Sequence, residues 1–403
     1  MHAVCPEHTL FFFFYYYYYS WVMGTEHQKL CTCRYICHAS WAILAPVQFL
    51  YLKSRKSAVP WRSFLRSHIQ FIRSTAQMVQ FNTNRISTAQ SLIDPVPHFM
   101  KKIAIITCTL TVAGSSWFIA LNLTTPSDLT AIYNCSAFFA YAFSIPLLGE
   151  KVRLGKVVSV AIAISGVMVV AYGDGGDTGT ESGGGGGVPT GRGRVLGNLL
   201  IGVGSVLYGL YEVIYKKMAC PPESTSPGRS VIFANVVASS IGAFTLVVLW
   251  VPLVVLHLTG IEPFELPTGK AGWLMAVSAL AGVGFSGGFL VLISLTSPVL
   301  SSVAGLFTIF LVALADWLLT AVPLTLAAVM GGVLIIGAFA LLSWESWKEL
   351  KEGEEKRLKR DDADVDVDVD DDVESPEEEG ASQVSGLGLS SAEERGRLIR
   401  EAD

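Results

Sequence analysis

The chain has 403 residues, 51% of them hydrophobic and only 16% charged, with a mean hydropathy of +0.48. A soluble domain carries about 25% charged residues, and here much of the charge is crowded into one terminal tail, so a polytopic membrane protein is expected and a soluble enzyme is excluded. The net charge of −5 carries no nucleic-acid signal, because the acids sit in that tail and the basic residues in short loops.

Residues 1–33 stand apart. Their apolar run "LFFFFYYYYYSWVM" (Leu10–Met23) is short for a span, lacks a basic n-region, and reads more like a translated nucleotide repeat than a packed helix. The segment is taken as a short or misannotated first helix. Next comes "CTCRYICH", with Cys31, Cys33, Cys37 and His38. A metal site needs four ligands at workable spacing and no partner pair occurs downstream, so these read as ordinary thiols at the head of a membrane helix. No metal or cofactor is expected.

Spans of roughly 20 apolar residues cross a bilayer. Nine are predicted, at Tyr35–Leu52, Ile103–Leu121, Leu129–Leu148, Leu154–Tyr172, Val195–Tyr215, Val231–Leu258, Ala271–Leu295, Val299–Leu319 and Leu324–Trp344. Segment 53–102 holds Lys53, Arg55, Lys56, Arg62, Arg66, Arg73, Arg85, Lys101 and Lys102 against the single acid Asp94, which places it in the cytoplasm. Alternation then puts the basic loops 149–156 and 216–229 and the C-terminal tail on the same side. The far-side loops, including the Gly-rich 173–194, are poor in Lys and Arg. "NLT" at Asn122 is a glycosylation sequon, but it abuts the membrane.

An internal echo runs through the chain. "TTPSDLTAIYNCSAFF" from Thr124 and "TSPVLSSVAGLFTIFL" from Thr296 each read threonine, small polar residue, proline, span, tight turn and second span. The copies are offset by five spans, an odd number, so they cross the membrane in opposite directions. Inverted repeats of this kind build many secondary transporters, with the solute site at their interface. The domains are therefore 1–33, a first half 34–172, the linker 173–194, a second half 195–344, and an acidic, largely disordered tail 345–403. "GVGFSG" (Gly282–Gly287) matches a dinucleotide fingerprint, but it lies inside an apolar span with no strand before it, and reads as close helix packing.

No catalytic constellation is found. Of the seven histidines only His38 and His257 lie in or beside a span, and neither H-x-x-x-D nor H-E-x-x-H occurs. The polar groups of the midplane are Ser115, Ser116, Tyr133, Asn134, Ser136, Tyr208, Asn235, Ser239, Ser240, Ser286 and Thr308. Three acids lie in the spans. Asp316 in "FLVALADWLLT" falls about 5 Å from the far end of its helix. Glu212 has Lys216 four residues on, which offers a helical ion pair. Asp128 opens a span, where a helix N-terminus favours an acid. No Lys or Arg lies deep in a span, Lys156 at a cytoplasmic end being nearest, which argues against multiply charged phosphate substrates.

"YICHASWAILAP", "SDLTAIYNCSAFFAYAFSIPLLGEK", "LYGLYEVIYKK" and "LTSPVLSSVAGLFTIFLVALADWLL" together resemble the drug/metabolite transporter superfamily, closest to EamA-type carriers and the fungal forms of the F branch of solute carrier family 35. The resemblance covers about residues 34–344. It implies an all-α fold of ten helices in two inverted five-helix halves, alternating access and no enzymatic activity, with Asp316 and Glu212 typical of their helices. The chain departs from the family at the first helix and at Phe310, where a proline is common. The reading is a transporter of a small polar metabolite in an intracellular endomembrane, vacuole or Golgi/ER. Trp117, Tyr133, Asn134 and Thr308 line its pathway, and Asp316 or Glu212 serves as a proton or gating site. Its partners are the solute and the lipid bilayer, with proton coupling and a homodimer both compatible, and no nucleic acid. The alternative is a non-transporting receptor or scaffold acting through its tail.

Overall fold

The computed structural model describes residues 30–120, 123–124, 126–173, 192–222, 225–260, 264, 268–320 and 326–370. The expected first helix (Leu10–Met23), most of the Gly-rich linker and the acidic run beyond Asp370 lie outside them. Among the described residues there are helices and no strands. In chain order these are α1 (Leu30–Ala39), a 3-10 turn (Ser40–Ile43), α2 (Leu44–Arg55), α3 (Trp61–Phe81), α4 (Thr88–Ser91), α5 (Val96–Ala120), α6 (Pro126–Asn134), α7 (Ser136–Leu148), α8 (Leu154–Tyr172) and α9 (Arg192–Ala219). They continue as α10 (Pro227–Val248), α11 (Trp250–Leu258), α12 (Gly269–Leu295), α13 (Pro298–Thr320) and α14 (Leu326–Asp370).

Seven stretches are long and apolar enough to cross a membrane: Arg34–Arg55, Val96–Trp117, Asp128–Leu148, Gly193–Ala219, Pro227–Leu258, Met275–Leu295 and Leu326–Glu349. Leu154–Val170 and Pro298–Phe307 are shorter apolar stretches. Seven of the nine expected spans fall on the long stretches, and the other two, Leu154–Tyr172 and Val299–Leu319, on the shorter ones. The protein is a multi-pass, all-helical membrane protein.

The residues that start and stop the helices obey ordinary capping chemistry. Proline stands first in α6, α10 and α13, where its missing N–H costs nothing. Ser297 caps α13, its hydroxyl accepting from the Leu300 amide at 3.2 Å. Gly149 ends α7 in the left-handed region at φ 73°, its amide returning to the Ile145 carbonyl. Ser87 and Gln90 form a capping box on α4.

The buried side chains gather around two centres. The first joins Trp41, Ile103, Ile106, Leu110, Tyr211, Tyr215, Phe233, Val237, Leu290 and Ile293, from α5, α9, α10, α12 and the 3-10 turn. The second joins α6, α7, α8, α13 and α14 through Ala131, Tyr141, Val160, Val167, Val303, Ile335 and Leu342. Each centre draws on both sequence halves.

Small residues set the spacing. The backbones of α8 and α14 approach where Gly166 meets Gly331: a Cβ on Gly331 would stand 2.6 Å from the Gly166 carbonyl oxygen and closer still to Val170. The 3-10 turn in the first span is held from α10, where Ser239 donates to the Ala42 carbonyl at 2.5 Å and Gly242 leaves room for Trp41 and Ala42. One helix turn away, Gln48 accepts from Asn235 at 2.5 Å and donates to the Ile232 carbonyl at 3.2 Å. Ser239 and Asn235 thus serve as bridges between helices.

The charged segment after Trp344 reads as tail in the sequence, yet α14 continues to Asp370. Its opening stretch places Glu352 four residues before Lys356 and Glu355 four before Lys359, the orientation that supports a helix. Residues 349–403 form a unit of their own.

Replacing Gly331 with Val should force α8 and α14 apart and lower stability by about 1–3 kcal/mol. Denaturant titration of the purified protein in detergent would measure the loss, and Gly337→Val, with open space at its Cβ, is the control.

Candidate functional site

The third span tightens to a 3-10 step at one residue, Cys135, whose backbone stays in the right-handed helical region (φ −63°, ψ −8°). α6 ends at Asn134 and α7 begins at Ser136, with Cys135 turning the chain through a 3-10-type bond from its amide to the Ile132 carbonyl at 3.2 Å. In lipid every backbone polar group must be satisfied internally, and side chains meet that demand here. Asn134 Nδ2 donates to the Thr130 carbonyl at 2.8 Å, Cys135 Sγ to that of Ala131 at 3.4 Å, and Ser205 Oγ, from α9, to that of Tyr133 at 3.1 Å.

Close packing by glycine brings α9 up to this step. A Cβ at Gly209 would stand 2.7 Å from both the Ser136 carbonyl oxygen and the Ala140 amide nitrogen, and one at Gly204 would collide with the Ser116 hydroxyl. With the backbones this near, aromatic rings from both sequence halves meet. Tyr133 lies 5.2 Å from Tyr208, Tyr208 lies 5.6 Å from Tyr211 and 6.5 Å from Phe289, and Phe285 stacks on Phe289 at 6.0 Å. Trp117 packs into the same cluster as Tyr133, against Ala120, Leu129 and Ile201. Tyr133, Tyr208 and Phe289 are half-buried.

Glu212 sits one turn beyond Tyr208 and is fully buried. Its Oε2 accepts from the Ser302 hydroxyl of α13, and its Oε1 has no hydrogen-bond partner. The helical ion pair expected with Lys216 is absent. Lys216 instead points away and donates to three carbonyls at the C-terminus of α12, those of Ile293 (3.1 Å), Ser294 (2.9 Å) and Thr296 (2.9 Å). An ammonium has three donors, and a helix C-terminus offers unpaired carbonyls of matching polarity, which outcompetes a single pair with Glu212.

Asp128 is tied down more firmly than a helix-start acid needs to be. It accepts from Arg194 Nε at 2.7 Å, Tyr172 Oη at 2.6 Å, Asn198 Nδ2 at 3.0 Å and Thr124 Oγ1 at 3.3 Å. The network joins α6, α8 and α9. Its carboxylate is 5% exposed, whereas Arg194 is 37% exposed and so partly hydrated.

One buried cation has no counterpart among the sequence-based expectations. Arg34, just outside the first predicted span, is 7% exposed and turned onto α5, where it donates to the Leu110 carbonyl at 3.0 Å and to Ser115. Gly114 makes the space, since a Cβ there would stand 2.7 Å from the guanidinium. A lack of buried cations therefore no longer counts against phosphate-bearing solutes. Of the sequence-predicted pathway residues, the structure brings Trp117 and Tyr133 together with Tyr208 and commits the Asn134 amide to its own helix. Thr308 and Asp316 lie on α13, but their side chains fall outside the described residues. Tyr211, Phe285, Phe289 and Ser302 join the site from the structure alone; apolar rings in a span carry no polar signal.

Ser302→Ala removes the only partner of Glu212 among the described residues, and leaves a buried carboxyl with neither oxygen satisfied. A loss of about 1–3 kcal/mol is expected. Most of it should vanish in the Glu212→Leu background, read as a double-mutant cycle by denaturant titration.

No family model matches the chain. An uncharacterized transporter of Schizosaccharomyces pombe is 27% identical over 237 residues, 57% of this chain and 65% of that protein. The thiamine-repressible mitochondrial transport protein of Saccharomyces cerevisiae is 23% identical over 321 residues, 77% of this chain and 81% of its own. Human solute carrier family 35 member F4 is 25% identical over 195 residues, 46% of this chain and 33% of that protein. The match to the fission-yeast protein thus spans just under two thirds of its length. A solved crystal structure superposes with a TM-score of 0.50 at 15% identity, over 84% of this chain and 95% of that one, which speaks to the fold alone. The chain is related to membrane transporters, the F branch of solute carrier family 35 among them, and none of these relatives is named as an enzyme.

Proposed function

We propose that the protein is a solute carrier that moves a small polar metabolite across an intracellular membrane by alternating access between two inverted halves. The observation that carries this reading is the meeting of rings from both halves (Tyr133 with Tyr208 and Phe289) at the 3-10 step of the third span, beside a buried carboxyl with one oxygen unpartnered. A cleft of this composition favours a solute with a flat or cationic group, which stacks on ring faces. Glu212, and Asp316 on the facing α13, are the proton-exchanging or gating groups: an unpaired charge is costly in the bundle, so proton gain or loss would track the access of water or solute.

The helix boundaries support the inverted halves. α6 and α13 begin at Pro126 and Pro298, α7 and α13 end at Leu148 and Thr320, and α8 and α14 begin at Leu154 and Leu326, each pair 172 residues apart. The basic loops favour a cytoplasmic side for residues 53–102 and for the tail. A mitochondrial transport protein among the relatives supports an intracellular membrane.

The test is uptake into proteoliposomes of purified full-length protein, with solutes first chosen by thermal stabilisation; a ligand at 100 times its Kd stabilises by about 2.7 kcal/mol. Tyr208→Ala should raise KM about tenfold, Glu212→Gln should flatten the pH dependence of uptake, and deletion of residues 361–403 should leave uptake intact. A folded protein that binds no solute, and loses a recruited partner with that tail, would return the protein to the receptor or scaffold class.

A further inference from the structure

We propose that α3 is an interfacial strap that binds the anionic phospholipid headgroups of the leaflet it faces. Four stripes run around its N-terminal half. One packs on the bundle: Phe64 is buried and lies 5.2 Å from Phe49 of α2, His68 lies 5.2 Å from the same ring, and Arg229 of α10 stands 4.7 Å over Phe71. Beside it runs an exposed apolar stripe with fourfold spacing, Trp61 (56% exposed), Leu65 (47%) and Ile69 (55%). Next come the exposed Arg62, Arg66 and Arg73, and beyond them the neutral Ser63, Ser67 and Gln70. Apolar, then basic, then neutral is the order in which a helix lying in a membrane surface meets acyl chains, headgroups and water.

The depth agrees. Phe49 lies six residues before the end of α2 at Arg55, roughly 9 Å along the helix, and Trp61 and Phe64 both pack against it. α3 therefore runs beside the last turns of the first span, where interfacial tryptophans collect, and Lys53 stands 5.2 Å over the Trp61 ring. A soluble partner would meet the neutral stripe, whereas the arginines flank the apolar one. Charge complementarity points to anionic lipid: residues 53–102 hold nine basic residues and one acid, Asp94, and that acid approaches Arg73 at 3.9 Å. No acid among the described residues pairs with Arg62 or Arg66. The leaflet in question is the cytoplasmic one if the proposed orientation holds; the contact itself does not depend on transport. α3 also touches the second half, through Arg229 over Phe71, and just past its end Asn84 accepts from Thr225 at 3.2 Å.

Hydrogen–deuterium exchange of the full-length protein tests this, in nanodiscs of phosphatidylcholine alone and with phosphatidylserine added. Backbone exchange in residues 61–72 should slow by about fivefold per engaged arginine in the anionic discs. The slowing should be lost in Arg62→Gln/Arg66→Gln, retained in Arg62→Lys/Arg66→Lys, and not reproduced by inorganic phosphate or polyglutamate added to phosphatidylcholine discs. Equal exchange in the two discs, slowing that survives the glutamine pair, or slowing produced by phosphate or polyglutamate would each overturn the proposal.

Discussion

The bundle depends on how closely α9 lies against α5 and α7. Within a bilayer, apolar surface gains nothing by leaving lipid for another helix, so association rests on backbone proximity and on hydrogen bonds made between helices. Gly204 and Gly209 supply the proximity, since a Cβ at either would meet the neighbouring helix at less than van der Waals distance. The consequences are local and specific. Only at this spacing can Ser205 reach the Tyr133 carbonyl left over by the 3-10 step between α6 and α7, and only then do Tyr133 and Tyr208 share a wall.

The same helix is anchored at both ends by charge. Near its start, Arg194 and Asn198 hold Asp128 of the first half; near its end, Lys216 closes the carbonyls of α12 in the second. The two anchors differ in kind. The Lys216 contact lies within one half and would ride along with it. The Asp128 network joins the two sequence halves, and the alternating access proposed above would have to strain or open it. Arg194, more than a third exposed, is already partly hydrated, so its release costs less than separating a fully dry ion pair.

Much of the architecture is legible in the sequence because lipid imposes long apolar runs and leaves charge for the loops; the helices beginning at Pro126 and Pro298 stand where the echoed threonine–proline motif puts them. The features that stay hidden depend on competition between partners. Lys216 four residues after Glu212 is a fair helical pair until the end of α12, 77 residues away in sequence, offers three carbonyls instead. The burial of Arg34 is invisible in the sequence because nothing in its own segment reveals Gly114 opening a slot on α5. The step at Cys135 has no proline or glycine to announce it, and its stability resides in side chains, one of them from α9. The first turns of the acidic tail read as unstructured from bulk charge, yet their signs alternate at helical spacing into α14.

If the ring cluster is the solute site proposed above, the allocation of polar groups narrows what it would recognise. So many midplane hydroxyls and amides suggest a pathway rich in hydrogen bonds. In the folded chain, however, Asn134, Ser205, Ser239, Asn235 and Gln48 direct side-chain hydrogen bonds to backbone carbonyls or to one another. These satisfy the demands of irregular backbone in a dry medium before any solute arrives. Specificity then devolves on groups the backbone cannot use. Ring faces accept no backbone hydrogen bond of ordinary strength, and the outer oxygen of Glu212 has no N–H within reach. Recognition by stacking tolerates variation in a solute's outline, while a single carboxyl discriminates by charge, so the proposed site would select a chemical class more readily than one molecule.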